Sequence, residues 1–407
     1  MGDALKTLPQ GFALADYDFF LPEEQIAQHP AMRRGTSRLL VVDKKNASFH
    51  VEDKIFSDII DVLPENCLLI ANNSRVVPAR LTGKRASGGK VEFLLLSPIP
   101  LLSPLAVSSA MCGDYSFMAV NSSSWRCAEA QGLLKSSKQV KVGECLHFAD
   151  DLYVELVERY EFGRCLVRLF WQGDLNELFE REGALPLPPY IKRTVTEQGT
   201  IEGASGSWGE DRERYQTIYN KGNKAGSVAA PTAGLHFTPE LRERLIASGR
   251  EWVEATLYVG YGTFSPVREE DIRRHTMHAE YVELTAEAAE RINKAKKEGR
   301  PIIAIGTTSV RIVEGVYRAL YADAAENKGE AVGRELEAYH DTVNLFLYPG
   351  QHFYMVDGLI TNFHLPCSSL LMLVSAFAGR ERMLEAYAHA VAHGYQFFSY
   401  GDSMFIY

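Results

Sequence analysis

PIIAIGTTSVRIVEGVYRALYA, residues 301–322, holds two elements joined by a glycine. PIIAIG (301–306) is a short apolar run of strand length, and SVRIVEGVYRALYA (309–322) carries apolar residues at helical spacing. Gly306 turns the chain between them, so Thr307, Thr308 and Ser309 stand at the start of a helix. Free backbone N–H groups and the helix dipole favour a carboxylate or phosphate at such a point. Ordinary N-capping by Thr308 would explain the same residues.

The rhythm continues on both sides. Upstream lie a helix at PELRERLIAS (239–248), with Pro at its start and Gly249 past its end, a strand at EWVEATLYVG (251–260) and an amphipathic helix at LTAEAAERINKAKKEG (284–299). Downstream come a strand at GLITNF (358–363), two helices across 368–393 and a strand at YQFFSY (395–400). Near the N-terminus, RLLVVD (38–43) and CLLIAN (67–72) read as buried strands around a helical spacing at Ile55, Ile59 and Val62. Between Val76 and Trp171 the texture changes. KVEFLLL, YSFMAV, QVKVGECLHF, LYVELVERY and RCLVRLFW are strand-like and separated by turn residues, which predicts a small β barrel or sandwich. SPIPLLSPLAVSS (97–109) reads as a loop insertion, and DLNELFERE (174–182) as a helix followed by a stiff run at Pro186, Pro188 and Pro189. The fold class is α/β: a body of residues 1–74 and 185–407 interrupted by an inserted β domain of residues 75–184. ENKGEAVGRELE (326–337) is expected to be a solvated loop or helix face.

Composition narrows the function. The 407 residues are 46% hydrophobic and 23% charged, which excludes a disordered or low-complexity chain. A net charge of −9 argues against nonspecific coating of nucleic acid or anionic membrane, though not against a local basic patch. The six cysteines, Cys67, Cys112, Cys127, Cys145, Cys165 and Cys367, form no C-x-x-C pair, so no zinc ribbon, cluster or redox dithiol is expected. No signal peptide or membrane span is readable, and a cytoplasmic protein is expected.

Several stretches could carry chemistry. From Arg75 to Lys90 the chain holds Arg75, Arg80, Lys84, Arg85 and Lys90 with no acidic residue. That is either a phosphate-contact strip or a solvated edge. In SVAAPTAGLHFTPE (227–240), small residues surround Thr232, Gly234 and His236, leaving room for a ligand or making a tight connection. LYVGYGTFSPV (257–267) precedes His275, His278 and Glu280. This spacing does not bring three ligands to one helix face, so no metal is expected and a general base is the better reading. LITNFHLP (359–366) places Asn362 and His364 after a strand end, and FFSYGDSMF (397–405) places Tyr400, Gly401 and Asp402 in a turn. Ligands of open α/β sheets sit at the carboxyl ends of strands, where several of these motifs fall. No G-x-x-x-x-G-K-[ST] or G-x-S-x-G is present, so neither an ordinary P-loop nor a nucleophile elbow is expected.

Taken in order, NNSRVVPARLTGKRASGGKVE, AAPTAGLHFT, VGYGTFSPV with HTMHAEY, AIGTTSVR, TNFHLP and FFSYGDSMFI resemble the S-adenosylmethionine:tRNA ribosyltransferase-isomerase family of queuosine biosynthesis. The resemblance runs from about Tyr17 to Ile406. It implies an α/β body that binds S-adenosylmethionine and an inserted small β-barrel domain. It implies transfer and isomerisation of the ribosyl part of S-adenosylmethionine onto the 7-aminomethyl-7-deazaguanine wobble base of tRNA. Epoxyqueuosine-tRNA, adenine and methionine are the products, and S-adenosylmethionine is a consumed cosubstrate, with no cofactor. Departures are a longer 97–130 connection, about ten extra N-terminal residues and Ser403 in place of a common Ala.

Within that chemistry, His236, His278 and Glu280 are candidates for the base that takes a 5′ proton. Asp402 or His364 would protonate leaving adenine if its pKa is raised. Thr307, Thr308, Ser309 and Arg311 suit the methionine carboxylate, and Tyr258 or Phe264 the sulfonium. Thr232, Gly234, Thr263, Asn362 and His364 complete the expected substrate contacts. The five basic residues between Arg75 and Lys90 are expected to meet the tRNA backbone. A monomer free of membrane is expected. A noncatalytic RNA-binding protein and an ordinary S-adenosylmethionine methyltransferase are the competing classes, and the second lacks an early G-x-G loop after a strand.

Overall fold

The computed structural model describes residues 8–46, 48–107, 124–193, 207–260, 262, 267–321 and 333–407. In chain order its strands are β1 (Arg38–Val42), β2 (Val51–Ile55), β3 (Leu68–Asn72) and β4 (Arg75–Val76). Next come β5 (Arg80–Arg85), β6 (Lys90–Leu95), β7 (Leu105–Ala106), β8 (Trp125–Ser136), β9 (Cys145–Ala149), β10 (Leu152–Arg159) and β11 (Arg164–Gln172). The rest are β12 (Ala225–Ser227), β13 (Glu251–Leu257), β14 (Glu280–Leu284), β15 (Ile302–Ile305), β16 (Tyr339–Val343), β17 (Gly358–Asn362) and β18 (Ser403–Ile406).

Nine of them form the body sheet, in the order β16-β14-β13-β3-β15-β17-β18-β1-β2. β13, β3, β15 and β17 are mutually parallel, while β18 runs antiparallel to β17 and parallel to β1. Successive side chains of a strand face opposite sides, and this alternation splits the apolar runs between two cores. Leu68, Ile70, Ile302, Ala304 and Leu359 pack with the helices Ala286–Lys297, Thr307–Leu320, Ser369–Ala378 and Arg380–Ala392. Leu69, Ala71, Ile303, Ile305 and Ile360 face Leu241 and Leu245 of helix Pro239–Ala247 on the other side. Burial on both faces explains why these strands lack polar alternation.

The inserted domain is a closed barrel in the order β11-β10-β9-β5-β6-β8, with β8 pairing back to β11 and β7 added beside β8. A barrel, not a sandwich, is therefore what the short strands build. Its interior holds Leu81, Phe93, Leu146, Val154, Leu156, Val167 and Leu169. The incoming and outgoing chains touch at its mouth, where Arg80 N–H donates to Ala184 O at 3.1 Å and Ala184 N–H to Arg80 O at 2.9 Å. Gly183 is required there, because a Cβ would lie 1.7 Å from the Pro78 carbonyl oxygen.

Three local expectations fail. The helical spacing of Ile55, Ile59 and Val62 is split: β2 pairs antiparallel with β1 through Ile55, and only a 3₁₀ turn and the short helix Ile59–Val62 follow. YQFFSY is not a strand, because Asp402 accepts the backbone N–H of Gln396 and Arg38 and folds this segment into a turn before β18. SPIPLLSPLAVSS (97–109) is not all loop, since it contains the 3₁₀ turn Ile99–Leu101 and β7. YSFMAV (115–120) and most of 326–337 lie outside the described residues.

Candidate active site

Because β13, β3, β15 and β17 are parallel, their carboxyl ends share one edge of the sheet. The register Asn362↔Ser403 and Leu39↔Ser403 brings the amino ends of β18 and β1 to the same edge. A cavity of about 250 Å³ opens there. It is walled by Pro189 and Tyr190, by Ala229–Ala233, by Val259 and Val267, by Gly306–Thr308, by residues 361–370 and by Phe398 and Ser399. Among the described residues no Asp, Glu, Lys or Arg lines it.

Its backbone is strained where it is built. Among the described residues three non-glycine residues have positive φ, and two of them, Cys367 (φ 53°) and Phe398 (φ 72°), line the cavity. Such conformations cost free energy and concentrate where surroundings hold a functional geometry. The Phe398 carbonyl is aimed at Asn362, whose Nδ2 donates to it at 2.9 Å. The Phe398 ring lies 4.7 Å from that of Tyr190.

Among the described residues, three buried polar atoms on cavity-lining residues have no partner: Asn362 Oδ1, Thr308 Oγ1 and Tyr215 Oη. Helix Thr307–Leu320 begins at Gly306 with no side-chain cap, so Thr308 is not its N-cap. Gly306 has φ 85°, which glycine adopts without a Cβ penalty. One turn into that helix, Arg311 is buried and pairs with Glu280, whose Oε1 also accepts the Gly260 N–H at 2.9 Å. Arg311 Nε and Nη2 have no partner among the described residues.

A sequence profile described as queuosine biosynthesis protein matches residues 14–406. The chain belongs to this family. It is 54% identical over 396 residues to the S-adenosylmethionine:tRNA ribosyltransferase-isomerase of Nitratidesulfovibrio vulgaris, covering 97% of each chain. It is 51% identical over 404 residues to the relative so named in Oleidesulfovibrio alaskensis, covering 99% of this chain and 95% of that one. A crystal structure of the S-adenosylmethionine tRNA ribosyltransferase of Thermotoga maritima is 29% identical, covers 97% of this chain and aligns with a TM-score of 0.49.

Within this family member, the cavity gathers Thr232, Thr307, Thr308, Asn362 and His364. His236 lies behind Asn362, with Nδ1 2.7 Å from Ser37 Oγ and Nε2 3.2 Å from Asn362 Nδ2. Burial foremost, then the Arg34 charge, push its pKa down to about 4. Burial pushes His364 down to about 3, the opposite of what an acid for adenine needs. Burial raises Asp402, but both its oxygens already accept backbone N–H groups, and it does not line the cavity. Gly234 is small for packing, since a Cβ would stand 2.0 Å from Tyr219 Oη. Ser309 Oγ donates back to the Ile305 carbonyl at 2.7 Å. Tyr258 is buried beside Gly226 rather than at the cavity. His278 is exposed, its ring packed over Gly262. Thr263 and Phe264 lie outside the described residues.

The basic strip is not uniform. Arg85 is held bidentate by Glu144 at 2.6 and 2.7 Å, Arg75 meets Glu180 at 3.2 Å and Arg80 meets Glu92 at 3.9 Å. Lys84 and Lys90 are exposed, stand opposite each other across β5 and β6, and have no ion-pair partner among the described residues. Sequence reasoning missed Ser37, Tyr190 and Phe398. Their one signal was adjacency, to RLLVVD, to the proline run and within FFSYGDSMF.

Proposed function

We infer that this chain transfers and isomerises the ribosyl moiety of S-adenosylmethionine onto the 7-aminomethyl-7-deazaguanine wobble base of tRNA, releasing adenine and methionine. The observation that carries this is 54% identity along 97% of the chain to a relative named for that activity. S-adenosylmethionine occupies the cavity at the sheet edge. Its carboxylate is received by the uncapped helix start at Thr307 and Thr308, where N–H groups and the dipole favour an anion, with the two free donors of Arg311 behind them.

The first chemical step removes a proton from the 5′ carbon, acidified by the neighbouring sulfonium. Of the three candidate bases, His236 has both ring nitrogens engaged and Glu280 is tied to Arg311 and Gly260. His278 has no hydrogen-bond partner among the described residues and takes the role of base. The electron pair left at C5′ forms a C4′=C5′ double bond as the ring C4′–O bond breaks, the ring oxygen closes a C1′=O double bond, and adenine leaves with the electron pair of its bond to C1′. Lys84 and Lys90 meet tRNA phosphates. S-adenosylmethionine is consumed, and turnover uses no metal or resident cofactor. The enzyme acts as a cytoplasmic monomer.

The direct test is incubation with S-adenosylmethionine and tRNA bearing the aminomethyl base, followed by measurement of free adenine and of the modified nucleoside. Stoichiometric release of both is expected. No adenine release, with properly folded protein, would end this reading.

A further inference from the structure

Asn362 is 2% exposed and lies at the end of β17. Its amide orientation follows from its partners. The Phe398 carbonyl can only accept, so the atom 2.9 Å from it must be the nitrogen. The same nitrogen is 3.2 Å from His236 Nε2, so its second proton points at that ring. His236 Nε2 is therefore the bare acceptor and Nδ1 carries the proton toward Ser37 Oγ. A histidine pushed down to about 4 is neutral at pH 7, as this tautomer requires. Both amide protons are thus spent behind the cavity wall. Oδ1 is left buried, with no partner among the described residues, on a residue that lines the cavity. A buried acceptor without a donor is costly in the empty protein and selective when filled.

We propose that Asn362 Oδ1 accepts a hydrogen bond from the exocyclic amine of the adenine of S-adenosylmethionine, and that His236 is a positioning residue that holds the amide in that orientation. The proposal rests on the functional reading above. Its surroundings suit a neutral heteroaromatic ring. Among the described residues the lining carries no Asp, Glu, Lys or Arg and a single histidine, His364, which is neutral at pH 7, and Phe398 and Tyr190 supply aromatic faces. An acceptor at this point pairs with an amine and repels a carbonyl. The site thereby distinguishes adenine from hypoxanthine, which carries an oxygen at the same ring position. If His236 were replaced by a side chain without an acceptor, the amide would lose one of the two partners that fix it.

The experiment compares S-adenosylmethionine with its hypoxanthine analogue in the same turnover assay. The native protein should prefer the adenine compound in kcat/KM by on the order of 10–100-fold, as one or two oriented amide contacts to an adenine edge allow. Asn362→Ala should bring the two substrates within about threefold of each other. His236→Leu should erode the preference, whereas His236→Gln, which can present an acceptor to Asn362 Nδ2, should keep most of it. Should Asn362→Ala fail to fold, inhibition of the native protein decides instead: free adenine should inhibit at least tenfold better than hypoxanthine. Equal use of both substrates by the native protein, equal inhibition, or an unchanged preference in Asn362→Ala would overturn the proposal. Failure of adenine release with S-adenosylmethionine itself would instead remove the functional reading beneath it.

Discussion

His236 and His364 show how burial decides the use of a titratable side chain. Both are neutral at pH 7, and both have folded-state pKa values below the ordinary 6.5. The native state therefore disfavours their protonation. Their contribution to stability is complete above about pH 6.5 and is lost as pH falls toward about 4 for His236 and about 3 for His364. For His236 the swing is on the order of 3 kcal/mol. Denaturant unfolding of His236→Gln between pH 7 and 4 should have a flatter pH dependence than the native protein; equal slopes would remove this account. The catalytic prediction separates two histidines that sequence treats alike. His278→Ala should lower turnover at least a hundredfold, about 2.7 kcal/mol of barrier, and abolish wash-in of solvent deuterium at the 5′ carbon. His236→Gln should retain that exchange. Exchange surviving in His278→Ala would move the base elsewhere. Sequence named both imidazoles, because residue type is visible there. Whether a ring nitrogen is already engaged depends on Ser37 and Asn362, which are remote in the chain and give no local sign.

At the scale of single elements, the β5–β6 hairpin separates residues that charge composition groups together. Of the five basic residues, Arg80 pairs with Glu92 of β6, Arg85 with Glu144 and Arg75 with Glu180 of helix Leu175–Glu182. Lys84→Glu with Lys90→Glu should weaken tRNA binding and leave S-adenosylmethionine affinity unchanged. The salt slope of tRNA binding should fall by about 0.7 per lost contact on single-stranded RNA. An unchanged slope would return the hairpin to a solvated edge. Arg75→Ala should have the smaller effect, since its charge is already shared with Glu180. Gly183 gives a stability test at the barrel mouth. Gly183→Ala forces a Cβ against the Pro78 backbone and should destabilise by about 1–3 kcal/mol in equilibrium unfolding. A change under about 0.5 kcal/mol would mean the junction yields freely. Elements with long apolar runs, such as β3, β15 and β17, were readable because burial on both faces leaves an unbroken signature. β8 was hidden because Arg126, Glu129, Gln131 and Lys135 interrupt its inward residues.

For the whole molecule, the α/β body with an inserted β domain was legible, while sheet order was not. Neighbours such as β18 and β1 are set by packing between chain ends, which no local pattern encodes. The expected cluster of motifs at strand ends did hold for Asn362, His364, Thr307 and Thr308. It loosened for Asp402, which a turn holds outside the cavity, and for Tyr258, which packs beside Gly226 of β12. The pairing of β3 between β13 and β15 has a further consequence, in the timing of synthesis. Barrel strands β5 to β11 are contiguous in the chain, so the ribosome can release a closed unit once Ala184 has emerged. β3 leaves earlier but finds both neighbours only after residue 305, and β1 gains its parallel partner only with residue 406. The nascent body must therefore wait with bare apolar strands while the barrel beside it is already folded, which makes that interval the time of greatest demand on chaperones.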